Sequence, residues 1–427
     1  MEVVSAEEVG GELHVGVQSP AGQLQWCRTC GVRAVGHGRR SVWLRDVPCG
    51  GRPAVVVWRK RLWRCPEPLC ARRTWSETHP GLPPRRVLTA RAAEEIAAQL
   101  SAAVPVSAVA ARFGVAWGTA FAAFAGRAAP AVAAAHEELP PPAALGVDET
   151  TFLRSGRRRF GDRWCTSLVD LGRGPGQGRL LDVVAGRSGG VIRGWVADRE
   201  TRDPGWAARV PAAVCDPLRA YARGLRTALP EAALVIDAYH VTRLGLDTLD
   251  EVRQHISREL APRRPRKGDV LYDCRRRLRT APERLSAQTL TRLREAVNRA
   301  DPSGQVWLAW RLAHELRRLG QVGTGRGAHR RLNKIIAQAA AARRPELRRL
   351  ASTLTEWRTP ICARFDHGRV TNAATEAINT LIKKIKRIGH GYRNFANYRL
   401  RLLVTWGKIT STKTVIATGL RHHTTPN

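Results

Sequence analysis

Acidic residues are scarce in this chain of 427 residues: 36 Asp and Glu stand against 71 Lys and Arg, a formal net charge of +35. A compact fold with that excess repels itself unless a polyanion neutralises it, so nucleic acid is the expected partner and a membrane surface the alternative. The chain also lacks an apolar run of spanning length, a signal peptide and a lipidation motif. We therefore expect no membrane association and a cytoplasmic, nucleoid-associated protein.

Methionine occurs once, while Ala, Arg and Gly are abundant, a composition typical of a GC-rich bacterial genome. Part of the positive charge therefore reflects codon usage, although its sign still favours a polyanionic partner.

The chain has nine cysteines, and five of them fall within the first 70 residues. An odd number without a secretion signal favours metal ligands or free thiols over disulfides. Two pairs have the spacing of zinc knuckles, Cys27-x2-Cys30 and, after 34 residues, Cys65-x4-Cys70. Two short strand-like segments between the pairs would bring the knuckles together, so that four thiolates hold a structural Zn²⁺. Five tryptophans are expected to pack around this zinc ribbon: Trp26, Trp43, Trp58, Trp63 and Trp75.

An Ala-rich helical stretch follows the cysteines. Within it, residues 106–120 match a helix-turn-helix, with Ala110 where the two helices touch and Gly114 in the turn. Trp117 and Thr119, at the start of the second helix, are candidate DNA contacts. Short Ala-rich helix pairs are common, so the DNA-binding interpretation depends on the net charge and on the neighbouring zinc ribbon.

Three strand-like segments further along the chain each end in an aspartate: Leu145–Asp148, Ala212–Asp216 and Ala232–Asp237. Two more strands follow the first of them, and helices separate the last three strands. Three strands, a helix, a strand, a helix and a strand is the order of a ribonuclease-H-like domain, whose first and fourth strands lie side by side. The order therefore predicts that Asp148 and Asp216 meet.

Residues 371–387 predict an amphipathic helix with Asn372 as its N-cap and apolar residues along one face. Glu376 begins the opposite face, and Lys383 and Arg387 follow it at helical repeats. On an isolated helix this pattern is typical of a solvated face with ordinary ion pairs. The strand-terminal aspartates favour instead a carboxylate that shares Mg²⁺ with them, beside cations that hold DNA. Further candidate DNA contacts are Lys384, Lys386 and Arg393.

Two basic regions flank this helix. Residues 247–357 carry little strand signal, which predicts an all-helical insertion with a flexible loop at 323–327. Residues 388–399 interleave basic and aromatic side chains, which suits phosphate contact and base stacking by Phe395 and Tyr398, unless both rings are core residues.

Six elements occur in a fixed order along the chain. They are the two cysteine pairs, Gly146-Val147-Asp148-Glu149-Thr150, Asp237-Ala238-Tyr239-His240, Glu376-Ala377-Ile378-Asn379 and Gly391-Tyr392-Arg393-Asn394-Phe395. The ordered set resembles the ISL-three family of bacterial insertion-sequence transposases, from about Cys27 to Leu403. Ala377 stands where the family often has Gly, and Tyr239 where Phe is usual.

The resemblance implies a DDE transposase that binds the terminal inverted repeats of an insertion sequence. Such an enzyme joins those ends to target DNA by Mg²⁺- or Mn²⁺-dependent strand cleavage and strand transfer. Asp148 and Glu376 match the first and last carboxylates of the catalytic triad. Strand order favours Asp216 as the middle carboxylate, and Asp237 is the alternative. His240 could position a DNA phosphate, pair with Asp237 or be structural. Double-stranded DNA is the implied partner, and pairing of two ends implies a homodimer.

The expected architecture is multidomain α/β. Its segments are a zinc ribbon (1–82), a helix-turn-helix domain (83–139), a ribonuclease-H-like catalytic domain in two parts (143–246 and 358–407), an all-helical insertion between them (247–357) and a polar tail (408–427). Two other interpretations stay open. One is a non-catalytic DNA-binding regulator, in which the strand-terminal aspartates are only caps. The other is a transposase-derived protein that has lost activity, although the triad residue types are intact.

Overall fold

The structure, a computed structural model, describes residues 1–152, 163–172, 174, 177–367, 370–390 and 392–407. These residues form two compact units. The first contains Met1–Leu139, Phe152 and the residues from Thr380 on, and the second contains Pro140–Thr151 and the residues up to Asn379. The tail expected at 408–427 lies outside the described residues.

A five-stranded sheet begins the first unit, in the order β1-β2-β4-β3 with β5 added to β4. Its strands are β1 Glu2–Val9, β2 Glu12–Gln18, β3 Val35–Cys49, β4 Arg52–Arg64 and β5 Thr74–Ser76. The two short strands expected between the cysteine pairs are one continuous strand, β4. The strands β1, β2 and β3 are not among the predicted elements. All residues of β1 are exposed and show no alternation, whereas in β2 the alternating Leu13, Val15 and Val17 are a signal that could have predicted the strand.

Three helices follow: α1 Ala90–Ser101, α2 Val106–Arg112 and α3 Trp117–Glu137. The predicted helix-turn-helix is present as α2 and α3, which meet at 109°. Gly114 makes the turn at φ +63°, a conformation that glycine adopts without strain. No single helix in the described part of the chain is both long and apolar enough to span a bilayer, and α2 with α3 reaches that length and composition only across this bend.

A buried aspartate attaches the sheet of the first unit to α1. Asp46 of β3 accepts hydrogen bonds from Thr89 Oγ1 at 2.7 Å and from Arg91 Nε at 2.8 Å. Thr89 also caps α1, since its hydroxyl accepts the N–H of Ala92. One cluster of polar contacts therefore fixes both the start of α1 and its position on the sheet.

The second unit contains a five-stranded sheet with the order β10-β9-β6-β7-β8. Its strands are β6 Leu145–Thr151, β7 Trp164–Asp170, β8 Arg179–Ala185, β9 Ala212–Cys215 and β10 Ala233–Ile236, and the helices between them are α4 Gly189–Arg202 and α5 Arg219–Ala228. β6, β7 and β8 form an antiparallel meander, while β6, β9 and β10 are parallel. The first and fourth strands are neighbours in the middle of the sheet, as predicted.

Helices make up the rest of the described chain, apart from short 3₁₀ turns. They are α6 Ala238–Leu260, α7 Val270–Asp273, α8 Arg275–Arg279, α9 Ala287–Ala300, α10 Gln305–Leu319, α11 Gly325–Ala340, α12 Pro345–Glu356, α13 Arg358–Asp366, α14 Ala373–Ile388 and α15 Phe395–Trp406. The prediction of a flexible loop at 323–327 is wrong for residues 325–327, which are helical. Thr324 Oγ1 accepts the N–H of Gly327 and starts α11 at Gly325.

Helices α4 and α5 pack together through two glycines. A Cβ atom at Gly224 would lie 2.7 Å from the Gly189 Cα. The nearest atoms all belong to the backbone, so no flexible side chain could move aside to make room. The close approach of the two helices therefore requires glycine at this position.

We predict that Gly224→Ala lowers the free energy of unfolding of the second unit by about 1–3 kcal/mol, the usual penalty of overpacking. Gly194→Ala is the matched control in α4, because a Cβ there meets nothing within 4 Å. It should raise stability by about 0.5–1 kcal/mol, since it only removes backbone freedom from the unfolded chain. Urea unfolding followed by tryptophan fluorescence measures both, and equal stability of the two variants would contradict the close contact.

Candidate active site and metal centre

Three aspartates form a row where the parallel pairing of β6, β9 and β10 ends. The expectation that Asp148 ends its strand is wrong, because β6 continues to Thr151 in pairing with β7, whereas Asp216 and Asp237 directly follow their strands. Val147 of β6 is in register with Cys215 of β9, and Cys215 is in register with Ile236 of β10. The residues that follow these three are Asp148, Asp216 and Asp237. Adjacent strands lie about 4.8 Å apart, so Asp216 is one strand from each of the others, and Asp148 and Asp237 are two strands apart.

The first turn of α14 brings a fourth carboxylate, Glu376, to the same edge. Gly146 makes this approach possible, because a Cβ atom there would lie 2.1 Å from Thr375 Oγ1 and 3.3 Å from Asn372 Oδ1. Asn372 directly precedes the helix, but its predicted capping bond is absent among the described residues. Its side chain is buried and Oδ1 accepts no hydrogen bond. The packing of α14 on β6, rather than an N-cap, therefore positions Glu376.

Mutual repulsion and burial raise the pKa values of these acids. Burial, with Asp148 and further carboxylates nearby, raises the pKa of Asp216 to about 8. Burial and then Asp237 raise the pKa of Glu376, and His240 partly opposes this. Burial and Asp148 raise the pKa of Glu149. The site is therefore a crowded cluster of carboxyl groups in which burial and mutual repulsion favour the protonated forms.

Polar side chains from the sheet and from α14 orient Asp148. Asn379 donates its amide N–H to Asp148 Oδ2, and the backbone N–H of Glu149 donates to Oδ1 at 2.7 Å. Ser167 Oγ lies 3.0 Å from Asn379 Oδ1 and 3.1 Å from the Asp148 carbonyl oxygen. Sequence analysis does not assign Asn379 and Ser167 to the site. The signal for Asn379 is its position three residues after Glu376, which places both on one helix face.

His240 lies beside Asp216 rather than beside Asp237. Its Nε2 is 3.0 Å from Asp216 Oδ1, although the two groups are not aligned for a hydrogen bond. Asp216 Oδ1 and Asp237 Oδ2 are buried oxygens without hydrogen-bond donors in the described part of the chain. Buried carboxylate oxygens that lack donors are suited to a hard divalent cation.

Four cysteines form a second centre, in the first unit. The ligand atoms of Cys27, Cys30, Cys65 and Cys70 all lie within 4.8 Å of one another, and among the described residues no other set of three or more ligand side chains is so close. Sγ–Sγ distances are 3.7 Å for Cys27 and Cys70 and 3.5 Å for Cys30 and Cys65. Tetrahedral Zn–S bonds of 2.3 Å require about 3.8 Å. The cluster therefore fits a tetrahedral metal, whereas the sheet-edge carboxylates form a more open arrangement.

Backbone amides prepare the first knuckle for a metal. The backbone N–H of Cys30, followed by that of Thr29, lowers the pKa of the Cys27 thiol to about 6. Trp75 packs against the cysteines. The expectation that all five tryptophans do so is wrong: Trp26 and Trp43 are 54% and 61% exposed, and Trp58 belongs to a separate core cluster of the sheet.

Most of the predicted DNA-contacting side chains lie on the surface. Trp117 is 44% exposed at the start of α3, and Thr119, two residues further, is half-buried. On and after α14, Lys383, Lys384, Arg387 and Arg393 are exposed and Lys386 is half-buried. Base stacking by Tyr398 is excluded by its complete burial, with its ring centroid 5.2 Å from that of Phe152. Asn394 caps α15, so the Tyr392–Phe395 motif starts a helix; Gly391 lies outside the described residues.

We predict that the raised pKa of Asp216 makes the metal-free fold less stable as pH rises. Its pKa is about 8 when folded and 3.8 ordinarily, so the folded state binds the extra proton. The resulting stabilisation is full below pH 3.8 and disappears as pH rises through about 8. Without added Mg²⁺ or Mn²⁺, the thermal midpoint of the wild type should fall between pH 6 and pH 8.5. Asp216→Asn should fall less, and parallel curves would contradict the prediction.

Comparison with known proteins assigns these features to one family. A family model described as a transposase, of the DDE type of family ISL3, matches residues 145–402, and a model described as the helix-turn-helix domain of transposase family ISL3 matches residues 77–125. The transposase for insertion sequence element IS1001 of Bordetella parapertussis is 28% identical over 402 residues, which cover 93% of this chain and 92% of that protein. The match extends through the carboxylate site, which does not favour a non-catalytic regulator. The chain therefore belongs to transposase family ISL3 and is a DNA transposase.

Proposed function

We propose that the second unit is a ribonuclease-H-like nuclease domain with Asp148, Asp216 and Glu376 as its catalytic triad. The observation that carries the proposal is the register of β6, β9 and β10, which lines up Asp148, Asp216 and Asp237 beside the first turn of α14. Residues 247–357 would be the all-helical insertion, which begins within α6 and ends before α13. Together these residues would cleave and join DNA strands at the ends of an insertion sequence.

Asp216 is the better candidate for the middle carboxylate. β9 pairs directly with β6, whereas β10 pairs only with β9. Asp216 therefore lies one strand from Asp148, the separation that a shared metal pair about 4 Å apart requires. Burial is the largest cause of the raised pKa of Glu376, and the charge of Asp237 is the second. We therefore assign Asp237 a supporting role beside Glu376. His240 would position the Asp216 carboxylate.

The carboxylates are suited to Mg²⁺ or Mn²⁺, which would activate the attacking hydroxyl and stabilise the leaving oxygen in displacement at phosphorus. Asp148 is held by Asn379 and by the Glu149 amide, so its orientation is fixed before a cation binds. Because the pKa of Asp216 is raised to about 8, a cation would displace a proton from this carboxyl as it binds. Affinity for the cation should therefore rise with pH.

The first unit would supply recognition of the DNA. We propose that Cys27, Cys30, Cys65 and Cys70 hold one structural Zn²⁺, and that Trp117 and Thr119 of α3 contact the terminal inverted repeats. Lys383, Lys384, Lys386, Arg387 and Arg393 would hold phosphates of the same DNA. Two ends must be paired for transposition, so the protein would act as a homodimer on double-stranded DNA in the bacterial nucleoid.

We predict that Asp148→Asn and Glu376→Gln abolish strand cleavage while DNA binding survives. Losing a metal ligand removes several kcal/mol of transition-state stabilisation, roughly a thousand-fold in rate or more. Asp216→Asn should be equally inactive, and Asp237→Asn should retain measurable activity. The measurement is Mg²⁺-dependent cleavage of a DNA fragment carrying the element's ends, beside a binding assay with the same fragment.

The control for this experiment is Lys383→Gln with Arg387→Gln, which should weaken binding and reduce its salt dependence. A wild type that binds the ends but never cuts them with Mg²⁺ or Mn²⁺ would refute the nuclease proposal. A fully inactive Asp237→Asn beside an active Asp216→Asn would reverse the assignment of the middle carboxylate.

We predict one Zn²⁺ per chain in the purified protein, measured by metal analysis. Cys27→Ser with Cys65→Ser should lose it, unfold the ribbon and weaken binding to the ends. Cys49→Ser is the control, because Cys49 is an exposed thiol outside the cluster. Zinc content that the double substitution leaves unchanged would disprove the site.

A further inference from the structure

Helix α5 carries a row of arginines that the catalytic site does not use. Arg219, Arg223 and Arg226 are spaced at i, i+4 and i+7 and are all exposed, while Tyr221 and Leu225 bury the opposite face. We call these three residues the α5 arginine row. An amphipathic helix needs a polar outer face but not three arginines in line, so the row calls for a separate explanation.

The α5 arginine row borders an open groove of about 310 Å³. Thr227, Glu356 and Trp357 also line it. Glu356 binds Arg219 through two bonds of 2.8 Å and 2.7 Å, which fixes that guanidinium at one end of the groove. Arg223 and Arg226 form no ion pair with the described residues. Arg226 also interacts electrostatically with Glu356. The groove therefore presents two guanidinium groups without a direct ion pair beside a fixed one.

We propose that the α5 groove binds phosphates of duplex DNA, which would give the catalytic unit its own sequence-neutral DNA contact. This inference rests on the proposed function, because α5 begins three residues after the proposed ligand Asp216. Arg219 to Arg226 spans about 10.5 Å along the helix axis, a length in which duplex DNA carries several phosphates, at one charge per about 1.7 Å of its axis. Guanidinium groups bind phosphate oxygens in a bidentate manner, so the row matches a DNA backbone in chemistry and in length.

A free nucleotide fits the groove less well. A nucleotide site normally offers an aromatic face for the base, and the one aromatic residue of this groove, Trp357, is only 4% exposed. The groove is open on one side, as a continuous backbone requires. Duplex DNA is therefore the occupant that the residues favour.

The test uses the full-length protein and a labelled 40-base-pair duplex without element ends, with binding measured by fluorescence anisotropy from 50 to 250 mM salt and no divalent cation. Arg223→Gln with Arg226→Gln should reduce the slope of log affinity against log salt by about 2, since each phosphate contact contributes about 0.9. At 150 mM salt this corresponds to roughly 30-fold weaker binding. Glu356→Gln should increase the slope by about 1, because it frees Arg219.

The matched control is Arg292→Gln with Arg299→Gln. Both residues are exposed on α9 in the same unit and form no ion pair with described residues, so the substitution removes the same charge elsewhere. It should change affinity by less than about 2-fold. Equal losses in the two double variants would attribute the effect to bulk charge and overturn the proposal, as would an unchanged slope in the α5 variant. The tighter binding expected of Glu356→Gln cannot arise from misfolding.

The outcome is separable from the nuclease proposal. If the wild type binds DNA but never cuts it, while the α5 variant loses salt dependence, the triad assignment fails and the groove stands. If Asp148→Asn abolishes cleavage, while the α5 variant binds as the wild type does, the groove fails and the triad stands.

Discussion

Repulsion between carboxylates at one edge of the second sheet is the constraint on which the second unit depends. Asp148, Asp216, Asp237 and Glu376 come together there, and burial raises the pKa of Asp216 to about 8. Such crowding opposes folding, so the backbone must impose it. Parallel pairing in register fixes the three aspartates, and the glycine at position 146 admits α14 with the fourth acid. The stability that maintains this arrangement comes from elements outside the site, such as the close contact of α4 and α5.

A cluster of this kind is unfavourable without a cation and becomes favourable when one binds. Protons neutralise part of the charge when no metal is bound, and a divalent cation at the proposed site would replace them. The carboxylates form an open arrangement and the cysteines a closed one, which agrees with the proposed catalytic role of the first site and structural role of the second. A structural metal needs a complete set of protein ligands, whereas a catalytic metal keeps positions for water and DNA.

Local signals made a large part of this organisation predictable. The two cysteine pairs, the helix-turn-helix at 106–120 and the strand-then-aspartate pattern each involve few residues in fixed order, and the structure contains all three, except that β6 continues beyond Asp148. The adjacency of the first and fourth strands follows from element order alone. What failed depends on tertiary packing: β4 is one strand because neighbours on both sides pair with it, and Asn372 is buried against β6 instead of capping α14. Asn379 and Ser167 meet only after α14 has packed against the sheet.

The shortage of acidic residues has a structural consequence beyond net charge. Many arginines of the helical region form ion pairs with the few carboxylates, as Arg344 does with Glu259 and Arg219 with Glu356. Exposed pairs of this type add little stability. They do, however, remove cations from competition for DNA and hold the remaining side chains in defined positions. Along the α5 arginine row beyond Arg219, no acidic side chain forms a direct ion pair in the described part of the chain. A phosphate backbone could neutralise these guanidinium groups. If the α5 groove binds DNA as proposed, the placement of the few acids decides which arginines are available to it.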